Sequence, residues 1–509
     1  MTRHPTADEF RAQAHRVVDW IADYYERVEG LPVRSPARPG EVAAKLPMAV
    51  PERGWGEREG GGVADSFEAF MRDLDDVIVP GLTHWQSPNF FGYFPSNASY
   101  PAIVGEMLSA GLNVNGMLWS TSPAATEVET RVMDWMGELI GLPARFLSAS
   151  GSGGGCIQGT ASESALVALA AARRRSGWGR GVELSRLTVY ASEQAHSSIV
   201  KAAMIAGLAA GPEDRRQVRL IGTDAALAMD VGALEVALRE DVAAGRVPCF
   251  VAATVGTTGT TAIDPVGKVA EVIRSACAPA GSSRGADERA ALPWLHVDAA
   301  HAGAACVCEE NRWMLRGVEE ADSICFNPHK WLLTNFDCDC FWTADRAALT
   351  GALSITPEYL RNAATDAGTV IDYRDWQVAL GRRFRALKLW LVLRCYGAEG
   401  LRAYVREHLR LAALLEEWVR ADARFEVAAA RTMNLVCFRL RGSDEANRRL
   451  MEALNSSGRM LLTHTAVPDG AGGTRVVLRM AIGATLTEER HVRAAWEAIR
   501  EAAAFALER

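Results

Sequence analysis

Two short apolar runs constrain the fold of this chain more than any other feature. Residues 294–297 predict a buried strand that stops at Asp298, and residues 322–326 predict another that runs into Asn327-Pro328-His329-Lys330, about thirty residues later. Other short runs separated by helical patterns repeat this arrangement, at 187–191 and 251–255. Such alternation predicts a mainly parallel, doubly wound α/β sheet. In sheets of this kind, ligands bind where the strands end.

A lysine and an aspartate at these two strand ends suit one kind of chemistry. Lys330 could form a Schiff base with the aldehyde of pyridoxal phosphate (PLP), and Asp298 could keep the pyridine nitrogen protonated, so that the ring accepts electrons from the substrate. Taken singly, a lysine after a strand is usually a solvated loop residue, and an aspartate is usually a cap or turn residue. Neither residue indicates catalysis without the motifs around it.

Length and charge exclude several classes of partner. The 509 residues can bury a large core and suggest two or three domains, although α/β folds of this length also form one. The net charge of −7 and the pI near 5.9 offer no basic field to nucleic acid. No stretch approaches the ~18 apolar residues of a membrane span, and residues 1–9 lack the apolar core of a secretory signal. We therefore expect a cytoplasmic protein without nucleic-acid or membrane partners.

The ten cysteines do not indicate a metal centre or a disulfide framework in a chain of this length. Two close pairs, Cys306/Cys308 and Cys338/Cys340, have one intervening residue each and lack the CxxC spacing of zinc ligands. We expect structural thiols and no metal.

The first hundred residues predict two helices joined by an extended arm. Apolar positions at helical spacing cover 8–29, prolines follow, and Ser66 caps a second helix at 67–78. This region has too little apolar surface to fold alone, so we expect it to pack on a partner subunit or on the main body. Residues 84–95 are then dense in aromatics and prolines without a period, which fits either an aromatic core plug or a wall for a flat aromatic substrate.

A glycine-rich stretch at 151–162 precedes an Ala/Leu-rich helix at 163–175. It matches neither a Walker loop nor the GxGxxG fingerprint. It has the parts of a phosphate cradle, because glycines let the backbone approach and a helix N-terminus favours an anion, but a flexible linker before a helix would look the same. From Leu387 a long helix leads to strand–helix–strand–strand at 433–481 and a closing helix at 487–507, which predicts an α+β domain.

Six motifs along the chain form a set. They are Thr83-His84-Trp85 through Phe94-Pro95, Gly159-Thr160-Ala161-Ser162-Glu163, Gln194-Ala195-His196-Ser197-Ser198, His296-Val297-Asp298-Ala299-Ala300, Asn327-Pro328-His329-Lys330, and Asp372-Tyr373-Arg374 through Leu380-Gly381-Arg382-Arg383-Phe384. Together they resemble the group II PLP-dependent decarboxylases, and most closely the aromatic L-amino-acid decarboxylases of that family. The resemblance covers essentially the whole chain.

This resemblance implies a type I PLP-dependent fold, like that of aspartate aminotransferase, in a homodimer. It implies a mainly parallel sheet of the seven-stranded type. The N-terminal helical segment, 1–100, would pack on the partner subunit. A large PLP-binding α/β domain, 101–386, would carry a mobile catalytic loop at about 352–370, and 387–509 would form the C-terminal α+β domain.

The resemblance also implies cofactor contacts. Lys330 would hold PLP covalently, and Asp298 would pair with the pyridine nitrogen. Ala300 and His196 would lie on the two faces of the ring, and Thr258 would lie near its hydroxyl. The phosphate would be held by Thr160, Ala161, Ser162, Asn327 and His329.

On the substrate side, the resemblance implies that Tyr359 returns a proton to the substrate carbon after CO₂ leaves. Relatives that make aldehydes typically replace this tyrosine or alter the stacking histidine, and here both Tyr359 and His196 are present. Gly381 stands where a bulkier or hydroxylated residue in related enzymes favours histidine or phenolic substrates, so it leaves room for an indole. The wall of the substrate pocket would consist of Trp85, Tyr93, Phe94 and Pro95, with Asn115 and Met117 from the other subunit. A polar Asn115 could bind an indole N–H or a phenol hydroxyl.

We therefore expect PLP-dependent decarboxylation of an aromatic L-amino acid, such as tryptophan, 5-hydroxytryptophan or dopa, to the arylalkylamine and CO₂. Tryptophan-like substrates are the first hypothesis. Two alternatives stay open: an oxidative aromatic aldehyde synthase on the same scaffold, which peroxide would reveal, and a PLP-binding scaffold protein without turnover.

Overall fold

The computed structural model describes residues 4–50, 66–178, 181–278, 291–355, 365, 370–470 and 472–507, which form two β-sheets covered by helices. The strands are β1 (Gly154–Gln158), β2 (Leu187–Ser192), β3 (Val218–Ile221), β4 (Val247–Thr254), β5 (Trp294–Asp298), β6 (Ser323–Phe326), β7 (Asp339–Thr343), β8 (Phe425–Val427), β9 (Leu435–Leu440), β10 (Thr463–Pro468) and β11 (Thr474–Ala481). The α-helices are α1 (Ala7–Arg27), α2 (Phe67–Asp73), α3 (Tyr100–Leu112), α4 (Pro123–Ile140), α5 (Ala161–Arg175), α6 (Ser198–Ile205), α7 (Val231–Ala243), α8 (Val266–Cys277), α9 (Pro328–Trp331), α10 (Arg346–Leu353), α11 (Ala386–Ala421), α12 (Asp444–Ser456) and α13 (Glu489–Leu507).

The larger sheet has seven strands in the order β1-β7-β6-β5-β4-β2-β3. The pairs among β2 to β6 are parallel, and β7 runs antiparallel to both β1 and β6. Strands β5 and β6 are buried along their whole length, as expected when helices cover both faces of a parallel sheet. The mainly parallel seven-stranded α/β fold predicted from the sequence is confirmed.

Strand β1 was not predicted from the sequence, which left a phosphate cradle and a flexible linker open for 151–162. A Cβ at Gly155 would lie 2.7 Å from the Met133 side chain and 2.7 Å from the Trp342 ring, so large neighbours close over a strand position that only glycine can occupy. Composition suggested flexibility there, whereas close packing is the reason for the glycine. The following helix α5 also starts at Ala161, two residues before the predicted start.

The smaller sheet lies near the C-terminus and is antiparallel, in the order β10-β11-β9-β8. It packs with α12 and α13 around a buried apolar cluster that includes Val436, Leu450 and Ile499. The long helix α11 connects the two sheets and is interrupted at Gly397, where φ is +60°. This element order agrees with the strand–helix–strand–strand pattern predicted at 433–481.

The N-terminal helices leave apolar surface uncovered within one chain. Helix α1 is capped by Thr6 and Glu9 in a capping box, yet none of its residues is buried. Phe10 is 68% exposed, and α3 exposes a row of apolar side chains: Val104, Met107, Leu108 and Leu112. Within the described ranges, no helix has the length and apolar character required to span a bilayer.

Candidate active site

Lys330 and Asp298 meet at one edge of the seven-stranded sheet. Asp298 is the last residue of β5, and Lys330 lies in the short helix α9 directly after β6. The two strand ends are joined by a hydrogen bond in which Asn327 N donates to Ala300 O at 2.9 Å. Because neighbouring parallel strands end at the same edge, residues far apart in sequence become neighbours here.

The surroundings of Lys330 favour its neutral amine. Burial lowers the pKa of Lys330, while the nearby carboxylates of Asp298 and Asp339 act in the opposite direction. A lysine that gives up its proton readily is the nucleophile that condensation with an aldehyde requires.

Asp298 is buried and has one carboxylate oxygen to spare. Its Oδ1 accepts a hydrogen bond from Ala300 N at 3.0 Å. No donor among the described residues faces Oδ2. A carboxylate oxygen that accepts no hydrogen bond from the described residues, on a buried aspartate, is suited to a protonated pyridine nitrogen.

His196 follows β2 and has a defined tautomer. Its Nδ1 accepts from Ser198 N at 3.2 Å, so the hydrogen of the neutral ring is on Nε2. The ring is only partly covered by the protein and is exposed to solvent in one chain. This partial burial, together with the positive charge of Lys330, lowers the pKa of His196. A neutral, flat imidazole can lie against an aromatic ring.

The start of helix α5 provides amide groups for an anion. Thr160 is the N-cap residue in an extended conformation, and its side chain makes no capping hydrogen bond. Its carbonyl accepts from the amides of Glu163 and Ser164, at 2.9 and 3.2 Å. The amides of Ala161 and Ser162 meet no acceptor among the described residues, so they are available to a phosphate.

His329 lies in helix α9, next to Lys330 in sequence, and its ring is held by a backbone amide. Its Nδ1 accepts from Cys338 N at 3.0 Å, which leaves its Nε2 as a donor. Burial lowers the pKa of His329 to about 3, so the ring is neutral at neutral pH.

The aromatic stretch at 84–95 divides into residues buried in the core and residues that stay exposed. Phe90 and Phe91 are fully buried. The ring of Phe94 lies 5.8 Å from Lys330 Nζ, whereas Trp85 and Tyr93 stack on each other at 5.6 Å and stay 37% and 56% exposed. Pro95 packs so closely on Gly483 that a Cβ there would lie 2.7 Å from the proline Cγ.

Asn115, Met117 and Gly381 form a second group. Asn115 Oδ1 accepts from Arg382 N at 3.0 Å, and a Cβ on Gly381 would meet only Asn115 Nδ2, at 4.0 Å. The carbonyl of Met117 accepts from Arg374 N at 3.0 Å. No hydrogen bond or ion pair between described residues joins this group to Lys330 within one chain.

Two other predicted residues have different outcomes. Thr258 is exposed, and its carbonyl accepts from Arg479 at 2.7 Å. Tyr359, with most of the predicted loop at 352–370, lies outside the described residues.

These features fit PLP: an amine with a lowered pKa, a spare carboxylate oxygen on a buried aspartate, and uncapped amides at a helix start. The pyridoxal-dependent decarboxylase conserved domain matches residues 57–441. The chain belongs to the pyridoxal-dependent decarboxylase family. Its cofactor is PLP, and its reaction class is that of a carboxy-lyase.

Relatives of this decarboxylase match it along nearly its whole length. Tryptophan decarboxylase 2 of Oryza sativa subsp. japonica is 45% identical over 511 residues, which cover 98% of this chain and 96% of the relative. Phenylacetaldehyde synthase of Arabidopsis thaliana is 44% identical, and the match covers 98% of this chain and 97% of the relative. A crystal structure of Oryza sativa TDC with PLP and tryptamine superimposes with a TM-score of 0.90, at 43% identity and 99% coverage of both chains.

Three side chains of the decarboxylase site were not anticipated from the sequence. Asp339 is fully buried beside Asn327. The sequence feature that could have indicated it is an acidic residue within the apolar run 338–342. His301 stacks on Phe94 at 3.7 Å, directly after the predicted Asp298 motif. Arg479 comes from β11 of the smaller sheet and had no sequence signal.

Proposed function

We propose that this decarboxylase removes CO₂ from an aromatic L-amino acid and forms the arylalkylamine, with tryptophan, 5-hydroxytryptophan and dopa as candidate substrates. The observation that carries the proposal is the pairing of Lys330 and Asp298 at adjacent strand ends, with the Phe94 ring 5.8 Å from the lysine amine. The similarity to a tryptophan decarboxylase, and to a structure holding tryptamine, supports an aromatic substrate.

When bound, PLP supplies an electron sink for the bond between Cα and the substrate carboxylate. In the proposed arrangement, Lys330 would hold the cofactor through its amine, and the Asp298 carboxylate would accept the hydrogen of the pyridine nitrogen. Ala300 and the neutral His196 would lie on opposite faces of the ring, and Thr258 would lie near the ring hydroxyl. The residues proposed to hold the phosphate are Thr160, Ala161, Ser162, Asn327 and His329.

The proton step is assigned to Tyr359. After CO₂ leaves, a placed acid must deliver a proton to the substrate carbon. The presence of both Tyr359 and His196 in the sequence supports amine formation rather than oxidation.

Two features of the second group bear on substrate choice. Gly381 leaves open space, since the nearest atom to a Cβ there would be Asn115 Nδ2 at 4.0 Å, and this space suits an indole. The oxygen of Asn115 accepts from Arg382 N, whereas its Nδ2 donates to none of the described residues, so the nitrogen offers a donor that suits a phenol oxygen. A hydroxylated indole such as that of 5-hydroxytryptophan satisfies both, provided that Asn115, Met117 and Gly381 line the pocket together with Trp85, Tyr93, Phe94 and Pro95.

A homodimer would unite these groups and cover the apolar N-terminal surface. The exposed row on α3 and the uncovered face of α1 support an interface between two copies. In such a dimer, residues 1–100 pack on the partner, Asn115 and Met117 enter the partner's site, and 101–386 and 387–509 form the large and small domains. A cytoplasmic location also belongs to the proposal. Sedimentation velocity measures the assembly directly.

The second candidate is an oxidative aromatic aldehyde synthase. A relative of that kind, phenylacetaldehyde synthase, is nearly as similar as the decarboxylases. A PLP-binding scaffold without turnover is the alternative from another class, and retention of Lys330 and Asp298 opposes it.

One experiment separates the three. Purified protein with PLP is given tryptophan, 5-hydroxytryptophan, dopa, tyrosine, phenylalanine, histidine and glutamate in turn, and amine, aldehyde and peroxide are measured together. Amine without matching peroxide supports the decarboxylase. Aldehyde with equal peroxide refutes it in favour of the synthase, and PLP binding without any product leaves the scaffold.

A further inference from the structure

A second buried carboxylate, Asp339, lies beside the lysine. Asp339 is the first residue of β7, which pairs with β6 on one side and β1 on the other, and its side chain is fully buried. It reaches the proposed PLP site through two side chains, Asn327 and Ser164. A buried carboxylate with two such partners requires a reason, because burial without hydrogen bonds is costly.

The carboxamide of Asn327 has one orientation that satisfies both ends. Its nitrogen then lies 2.5 Å from Asp339 Oδ1, and its oxygen lies 3.3 Å from Lys330 Nζ. The reverse orientation would set two acceptors against each other at Asp339 and two donors against each other at Lys330. Asp339 therefore selects the orientation that turns an acceptor toward the lysine amine.

The other oxygen of Asp339 hydrogen-bonds the Ser164 hydroxyl. Ser164 lies in the first turn of α5, and its amide donates to the Thr160 carbonyl. One carboxylate thus links Asn327, after β6, to the helix whose first amides face the proposed phosphate position. These are the two halves of the proposed cradle.

The link holds in both protonation states of Asp339. The charged and titratable groups around it include Lys330, Asp298, Glu163, Cys156, Cys325 and Cys340. Burial raises the pKa of Asp339, with Asp298 and Glu163 acting in the same direction, against Ser164 and Lys330. A proton on Oδ2 would be donated to Ser164 Oγ, and Oδ1 would still accept from Asn327.

We propose that Asp339 is a positioning residue of the decarboxylase: it orients the Asn327 carboxamide with its oxygen toward Lys330 and fixes Asn327 against the start of α5. The proposal rests on the proposed PLP function. It assigns Asp339 no proton transfer and no direct contact with substrate.

The test compares Asp339→Leu with Asp339→Asn. Leucine has a similar volume but no acceptor, so Asn327 can reverse, whereas asparagine can turn its oxygen to Asn327 and its nitrogen to Ser164. PLP is titrated into the cofactor-free proteins, and the pH dependence of the association rate gives the pKa of Lys330. We expect Asp339→Leu to raise the Kd for PLP about tenfold, the value of one buried hydrogen bond, and to lower the Lys330 midpoint by about one pH unit, because the ammonium loses its acceptor.

The Kd for PLP of Asp339→Asn is expected to stay within about twofold of that of wild type, since the asparagine oxygen still accepts from Asn327 in the same position. Ser164→Ala removes only the second link, should move the Kd in the same direction by less, and decides the outcome if the leucine variant does not fold. Equal Kd and midpoint in wild type and Asp339→Leu would overturn the proposal, as would an asparagine variant that behaves like the leucine variant. Wild-type protein that binds no PLP would instead refute the proposed function.

Discussion

Arg479 joins the smaller sheet to the site, and its replacement by lysine has a calculable effect. The buried guanidinium donates to Gly259 O at 2.9 Å, Thr258 O at 2.7 Å, Tyr93 O at 3.3 Å and Thr463 Oγ1 at 2.8 Å. The central carbon of the guanidinium, Cζ, also lies 5.3 Å from the centroid of the Phe94 ring. The rigid fork therefore holds both the 258–259 loop and the aromatic wall.

A lysine cannot reproduce this fork, because its single ammonium on a flexible stem reaches fewer acceptors. If Arg479→Lys loses two of the four hydrogen bonds, at about 1.5 kcal/mol for each bond to a charged donor, the apparent free energy of unfolding falls by about 3 kcal/mol. If half of that free energy is also lost from transition-state stabilisation, because the aromatic wall is misplaced, kcat/KM for the aromatic substrate falls about tenfold.

The assay is urea unfolding of the PLP-loaded protein together with steady-state kinetics. Unfolding midpoints are compared between variants whose unfolding free energy has the same dependence on urea concentration. Arg475→Lys is the matched control, because Arg475 lies on the same strand and forms a partly exposed ion pair with Glu426 at 3.2 Å. Equal unfolding midpoints and equal kcat/KM in the two variants would refute the role given to Arg479.

Three further predictions concern the product, the substrate and acid stability. Tyr359→Phe should turn the product from amine to aldehyde with equal peroxide, measured by product analysis; unchanged amine would contradict the assignment of the proton step. Gly381→Ser should lower kcat/KM for tryptophan relative to tyrosine by about tenfold, because a lost methylene-sized space in a pocket is worth about 1–3 kcal/mol, and an unchanged ratio would remove Gly381 from the pocket. Among the buried histidines, burial lowers the pKa of four by a large amount, to about 3 for His301 and His329 and to about 4 for His296 and His408. Their unfolded pKa is about 6.5, so the unfolded chain takes up protons first, and stability, complete above that value, declines as the pH falls toward 4. The urea midpoint of the cofactor-free protein should therefore drop between pH 7 and pH 5, and a flat profile would show that these rings are not held neutral.

The sequence predicted those parts of the site that depend on local pattern. Asp298 and Lys330 each follow an apolar run, and parallel strands bring such ends together without any further information. Asp339 escaped prediction because its partner Asn327 is reached through an antiparallel pairing of β6 and β7, and pairing register cannot be read from either run alone.

Arg479 and β1 illustrate two other limits. Arg479 is separated from Tyr93 by most of the chain, and its hydrogen bond to that carbonyl depends on how the two sheets are arranged. Strand β1 was missed because Gly154 and Gly155 resemble a flexible loop in composition, while tertiary packing against Met133, Trp342 and Trp376 requires them in a strand.

Covalent capture of the cofactor tests the central claim most directly. PLP-loaded protein is reduced with borohydride, digested and analysed by peptide mass spectrometry, alongside Lys330→Ala treated in the same way. We predict that the reduced pyridoxyl group is found on Lys330, and that the alanine variant shows neither labelling at this peptide nor amine formation from the preferred aromatic substrate. A label on another lysine, or decarboxylation by Lys330→Ala at the wild-type rate, would contradict the account.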